Sequence, residues 1–168
     1  MKNLITLIAA VVLVAVAATA NAQVTGTATG SATIITPIAI ANAGNMNFGS
    51  IAVSANPGTV VLSTAAVRTA SGGVTLPAVT GSVTTAKFTV TGLGASTYSI
   101  SLPSSYIISD GASHSMTVNN FVSDPSGTGA LTNGTQTINV GATLNVLASQ
   151  TAGTYTNATG FNVTVNYN

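Results

Sequence analysis

The chain has 168 residues, of which 3% are charged, with three Lys and Arg, two Asp, one His, no Cys and no Trp. Nucleic acids and acidic membranes are bound by clustered Lys and Arg, so both are excluded as partners. Zinc takes three or four His, Cys or carboxylate ligands, which this composition does not supply, and no EF-hand spacing is present, so no metal or other cofactor is expected.

Lys2 supplies a positive start, Leu4 to Ala18 is apolar apart from Thr6, and Ala20, Asn21 and Ala22 place small residues before Gln23. These are the parts of a secretory signal peptide over residues 1–22. The apolar run is shorter than the ~20 residues that span a bilayer, and the mature chain has no transmembrane segment. No Cys stands at the cleavage site to carry a lipid. Export through the periplasm to the cell surface is expected. Residues 23–30 read as a short extension, and residues 31–168 as one domain able to bury a core without disulfides.

Ala32, Ile34, Thr36, Ile38 and Ile40 share one side of an extended stretch over 32–40, and Pro37 confines that stretch to a sheet edge. Met46 and Phe48 alternate up to a bend at Gly49, after which Ile51 and Val53 continue. Val60 to Leu62 follows, then a Gly-rich turn at Ser71, Gly72 and Gly73 and a weak strand over 74–79. Ala86, Phe88 and Val90 face one way in a stronger strand, which Gly92 and Gly94 join to another carrying Tyr98, Ile100 and Leu102. Met116, Val118, Asn120 and Val122 are expected on one face, and Asp124, Pro125, Ser126 and Gly127 read as a turn. Asn133 and Gly134 give the strongest hairpin signal, with Ile138, Val140, Leu144 and Val146 on the returning strand. Phe161, Val163, Val165 and Tyr167 alternate in the last one. No mature window sustains a helical period. Short strands at roughly ten-residue spacing predict an all-β fold, an immunoglobulin-like β-sandwich.

Side chains for catalysis are scarce, and no enzyme is expected. His114 stands beside Ser113 and Ser115 and four residues after Asp110, but no nucleophile elbow surrounds any Ser, and a solvent-facing loop histidine is the better account. Asp110 and Asp124 would be the carboxylate pair of a glycosidase. Each precedes a turn residue, Gly111 or Pro125, and turn capping explains them without catalysis. Tyr106, Phe121 and Tyr155 are the candidates for stacking on sugar, although a sandwich with four Phe and four Tyr needs most of them in its core.

Four segments carry a family resemblance: Ala32 to Ile38, the Met46, Asn47, Phe48, Gly49 turn, Phe88 to Gly92, and Val163 to Tyr167. Through them the stretch from Ala32 to Asn168 resembles the DUF4402 family of exported bacterial domains. The end is also similar to pilins of the chaperone–usher class. There a penultimate Tyr, here Tyr167, alternating residues, here Phe161, Val163 and Val165, and an upstream Gly, here Gly153, form the segment that a periplasmic chaperone grips. The resemblance implies a fimbria-like filament of copies joined head to tail, with a periplasmic chaperone and an outer-membrane usher as partners. It places the donated strand on 32–40, with Ile34, Ile38 and Ile40 entering the neighbour. The chain departs from many pilins in having no Cys pair. Two alternatives stay open: the first strand closes its own sandwich, or the protein is a non-polymerising surface adhesion or carbohydrate-binding module.

Overall fold

A computed structural model describes residues 23–168, and the expected signal peptide over 1–22 lies outside them. Two units are distinct, divided after Ile34. In the first, residues 23–34 are exposed and belong to no helix or strand. The second, Ile35–Asn168, holds every strand: β1 (Ala39–Gly44), β2 (Asn47–Phe48), β3 (Ala52–Leu62), β4 (Arg68–Thr75), β5 (Val83–Thr84), β6 (Ala86–Thr91), β7 (Thr97–Ser101), β8 (Ser105–Ser109), β9 (Ser115–Asp124), β10 (Thr128–Ala130), β11 (Thr135–Val146) and β12 (Thr164–Tyr167). The described fold is an all-β sandwich of antiparallel sheets, as composition and turn spacing predict.

β11 organises it. Ile138, Val140, Ala142, Leu144 and Val146 are all buried, so one face of this strand feeds the core along its length. Its backbone is shared three ways. β9 pairs with Asn139 to Asn145 along one edge. The opposite edge is divided end to end between β6, at Thr135 to Val140, and β3, at Ala142 to Val146. Gly141 stands where β6 gives way to β3, and a Cβ there would strike the Leu62 carbonyl and approach the Thr64 nitrogen to 3.0 Å. The branches continue outward, with β1 on β6, β4 on β3 and β8 on β9.

The two ends of β11 have different roofs. Over Ile138 and Val140, a second sheet in the order β10-β7-β12 packs Tyr98, Val163 and Val165 against Phe88 and Val90 of β6. Over Ala142, Leu144 and Val146 the buried cluster takes in Val60, Leu62, Val74 and Val118, but its cover is only the two-stranded ladder of β2 and β5, through Phe48 and Val83.

Three local expectations change. Ser71, Gly72 and Gly73 lie inside β4, not in a turn. There β3 bulges between Val53 and Gly58, and the missing side chains of Gly72 and Gly73 admit the Pro57 and Asn56 carbonyls. The weak strand at 74–79 ends at Thr75, and Val79 is exposed. In β9 the face changes, because the register with β11 slips between Gly141 and Thr143, opposite Asn120, whose φ is +48°. An extra residue in one strand reverses every side chain beyond it. Val118 therefore points inward while Val122 points out, and Phe121 and Ser123 take the inner face. The Asn133 and Gly134 hairpin forms as expected, with both φ values positive, at 51° and 79°, as the tight two-residue turn requires.

Gly141→Ala is expected to destabilise the fold by about 1–3 kcal/mol, the usual cost of forcing atoms into a packed core. Gly153→Ala, whose new Cβ would meet nothing nearer than 3.8 Å, is the control and is expected within about 0.5 kcal/mol of the parent. Urea denaturation of both variants measures the difference.

Candidate assembly site

β12 forms because its residues alternate, and β7 gives it a partner of the same character: Thr164 pairs with Ser101, Val165 with Ile100, and Tyr167 with Tyr98. Val163 and Val165 are buried in the sandwich, with Phe161 and Tyr167 half-buried beside them. The Tyr167 hydroxyl accepts the Leu93 N–H at 2.6 Å and donates to the Thr36 carbonyl at 2.9 Å. One phenol thus joins the last strand, the β6–β7 turn and the backbone just ahead of β1. Gly92 clears the space, since a Cβ there would strike that hydroxyl.

β1 enters from the other side. Ile40 pairs with Val90 of β6, and Ile38 and Ile40 pack against the same cluster as Val163 and Val165. Six of the seven residues singled out from the sequence therefore meet at one end of the sandwich: Ile38, Ile40, Phe161, Val163, Val165 and Tyr167. Ile34 stands apart, 97% exposed. Of the stretch 32–40, only Ala39 and Ile40 lie in a ladder, and that ladder is within the chain. Gly153 lies in the exposed loop between β11 and β12.

Phe161 gathers the aromatic residues. Its ring lies 4.9 Å from Phe121, 5.5 Å from Tyr106 and 6.2 Å from Phe88, all tilted or edge-on, the arrangement that ring quadrupoles favour. Tyr106 also donates to the Asn157 carbonyl at 2.9 Å, and burial raises its phenol pKa. Tyr155 donates to the Thr151 carbonyl and accepts Gln150 Nε2, each at 2.8 Å. Of the three candidate sugar-stacking residues, Tyr106 and Phe121 are thus engaged through their rings and Tyr155 through its hydroxyl.

Beyond Phe161 the thinly roofed half opens into a cleft of about 940 Å³. Met116, Val118, Leu144 and Val146 line its floor, and segments 42–53 and 150–161 form its walls. Among the described residues no charged side chain lines it. Arg68 shapes one wall from behind, its Nη1 donating to the Phe48 carbonyl at 2.6 Å and the Ser50 carbonyl at 2.8 Å. Sequence reasoning missed this cleft, Arg68 and Gln136, whose Oε1 accepts Tyr98 Oη at 2.7 Å and the Ala130 N–H at 2.9 Å. The Tyr98 ring lies over Gly129, its partner across β7 and β10, and burial raises its pKa too. Gly129 was the readable signal, but only after the two strands are paired.

The residues with catalytic potential lie elsewhere. Asp110 and His114 close the β8–β9 turn, with Nδ1 and Oδ2 at 2.6 Å, and Asp110 Oδ1 accepts the Ala112 N–H at 2.8 Å. Among the described residues no serine hydroxyl bonds to that ring. Asp124 ends β9, at the far end of the strand from Asp110, so the two carboxylates do not pair. Among the described residues no three of His, Cys, Asp and Glu gather, and no helix is long and apolar enough to cross a membrane.

Tyr167→Phe removes two hydrogen bonds and is expected to cost about 1–2 kcal/mol by urea denaturation. The His114 ring, then the Ala112 N–H, hold the Asp110 carboxyl below its ordinary 3.8. A carboxyl lowered on folding adds stability above its ordinary value, and that stability is lost as pH falls through the folded value. NMR titration of Asp110 should show the low value, with His114→Ala moving it up towards 3.8.

No curated protein and no solved structure matches the chain. A family model described as a domain of unknown function, DUF4402, matches residues 38–167. That match covers more than half of the chain and takes in every strand, and so the protein belongs to the DUF4402 family.

Proposed function

We propose that this protein is an exported structural subunit of a fimbria-like surface filament, in which copies join head to tail by β-strand complementation. One observation carries the reading: the strand-patterned stretch ahead of β1 leaves Ile34 and Ile35 exposed and outside any ladder, directly upstream of the edge strand that docks Ile38 and Ile40. A β-branched alternating segment gains little in water and much on a sheet edge that lacks a strand. The near absence of charge agrees, since copies of such a chain repel one another weakly.

A signal peptide over 1–22 delivers the chain to the periplasm. A chaperone there shields the segment before an outer-membrane usher releases it into the growing filament. No side chain has a catalytic role in this reading. The rival, a non-polymerising carbohydrate-binding module, has less support, because Tyr106 and Phe121 pack edge-on against Phe161.

The test is a substitution that spares the fold. Ile34→Asp changes a side chain with no core contact, so its melting temperature is expected to equal that of the parent, within a surface substitution's effect of about 0.5 kcal/mol. The parent mature chain is expected to form filaments visible by electron microscopy and Ile34→Asp to stay monomeric by size-exclusion chromatography. A parent that stays monomeric at high concentration, or an Ile34→Asp variant that polymerises like the parent, overturns the proposal.

A further inference from the structure

From Val24 to Ile34 every even position is Val, Gly, Ala or Ile and every odd position is Thr or Ser. That is the period of a strand with one apolar and one polar face. The same face continues downstream as Thr36, Ile38 and Ile40, and its last two members are packed in the chain's own core. One continuous strand pattern is therefore divided: its end closes the sandwich through β1, and its beginning is exposed with no ladder partner.

The cleft over the thinly roofed half of the core has the complementary chemistry. Its floor is apolar, and neither the cleft nor residues 23–35 contains a charge, so seating one in the other strands no ion away from water. Between Gln150 and Phe161 the cleft wall forms a single ladder contact among the described residues, at Thr156 with Ser109. Gly26, Ala28, Gly30 and Ala32 keep the segment narrow enough to enter between two walls.

The N-terminal segment leaves the sandwich at Thr36, beside the Ala39 end of β1 that pairs with Thr91, whereas the cleft begins at Asn42 and lies past Gly44 at the other end. Donated from each copy to the next in one direction, such a segment makes a heterologous contact, which propagates as a filament, whereas reciprocal exchange between two copies closes a dimer.

We infer that this cleft receives Val24–Ile34 of a second copy, so that the donated strand lies upstream of Ile38 and Ile40 and leaves β1 in place. The inference rests on the filament reading and adds the acceptor surface and the register. Because the chain has no Cys, disulfide trapping tests it with single substitutions in the full mature chain. One preparation carries Ala32→Cys, a second carries Met116→Cys on the cleft floor, and a third carries Tyr155→Cys on its wall, in case Met116→Cys disturbs the core. The first, mixed with either of the others and oxidised, is expected to give a disulfide-linked heterodimer. A mixture with Val67→Cys, an exposed site in the β3–β4 turn, is expected to give none. Heterodimer absent from both cleft mixtures, with filaments still present by electron microscopy, overturns the cleft assignment and leaves the filament reading standing. Heterodimer absent and the parent monomeric overturns both. In a chain carrying Ala32→Cys and Met116→Cys together, a disulfide formed only within one molecule shows the segment filling its own cleft and also overturns the inference.

Discussion

The fold depends on one backbone constraint: β11 has two edges and must satisfy three partners. β9 takes one edge, so β6 and β3 have to divide the other, and the division at Gly141 splits the sheet into two branches. Backbone groups in a sheet interior cannot be left unpaired without a cost comparable to a lost hydrogen bond. The junction must therefore be tight, and a residue with no side chain occupies the closest approach. From that point the architecture follows. The branch carrying β6 and β1 is roofed by β7 and β12, the branch carrying β3 and β4 only by β2 and β5, and the cleft is the difference between the two roofs.

Tyr167 plays the matching part at the opposite pole. β12 pairs by its backbone with β7 alone, so its hydrogen bonds to the β6–β7 turn and to the backbone ahead of β1 come from a side chain. Its phenol reaches the β6–β7 turn and the carbonyl of Thr36, residues far from it in sequence. A strand of this length is held by partners more than by propensity. Both edges that meet here, β1 and β12, pair on one side only. The residues that complete the sandwich and those that border its open edges are thus the same few side chains.

Local chemistry was legible and long-range register was not. The all-β class, the Asn133 and Gly134 turn, the bend at Gly49 and the inward set Phe161, Val163, Val165 and Tyr167 each depend on a few neighbouring residues, and period or turn chemistry carries them. The failures share one cause. The extra residue at Asn120 turns Val122 outward, and nothing near Asn120 announces it, because the bulge exists only opposite Ala142 of β11. The glycines at 72 and 73 look like a turn until β3 is laid beside them, when they prove to be clearance for another strand's backbone. Of the assembly residues, six were brought together and Ile34 was left out, a division that alternation alone cannot make because the pattern runs unbroken through it. Cleft and Arg68 depend on which half of the core is thinly covered, a property of topology.

Edge strands in soluble proteins usually carry Lys, Pro or an inward charge that discourages pairing with another chain. Here β1, β8, β10 and β12 carry no charge, and the one charged edge residue, Arg68 in β4, is turned back onto the Phe48 and Ser50 carbonyls. Pro37 guards only the approach to β1. A chain with so little protection tends towards uncontrolled edge-to-edge association unless its strongest edge-seeking segment has a preferred destination. The proposed heterologous contact would supply one, because it would consume the exposed alternating segment of each copy in a single register. On this argument the scarcity of charge and the directed contact belong together. Without such a contact the uncharged edges are a liability, and in the proposed filament added charge would weaken the contact without protecting the monomer.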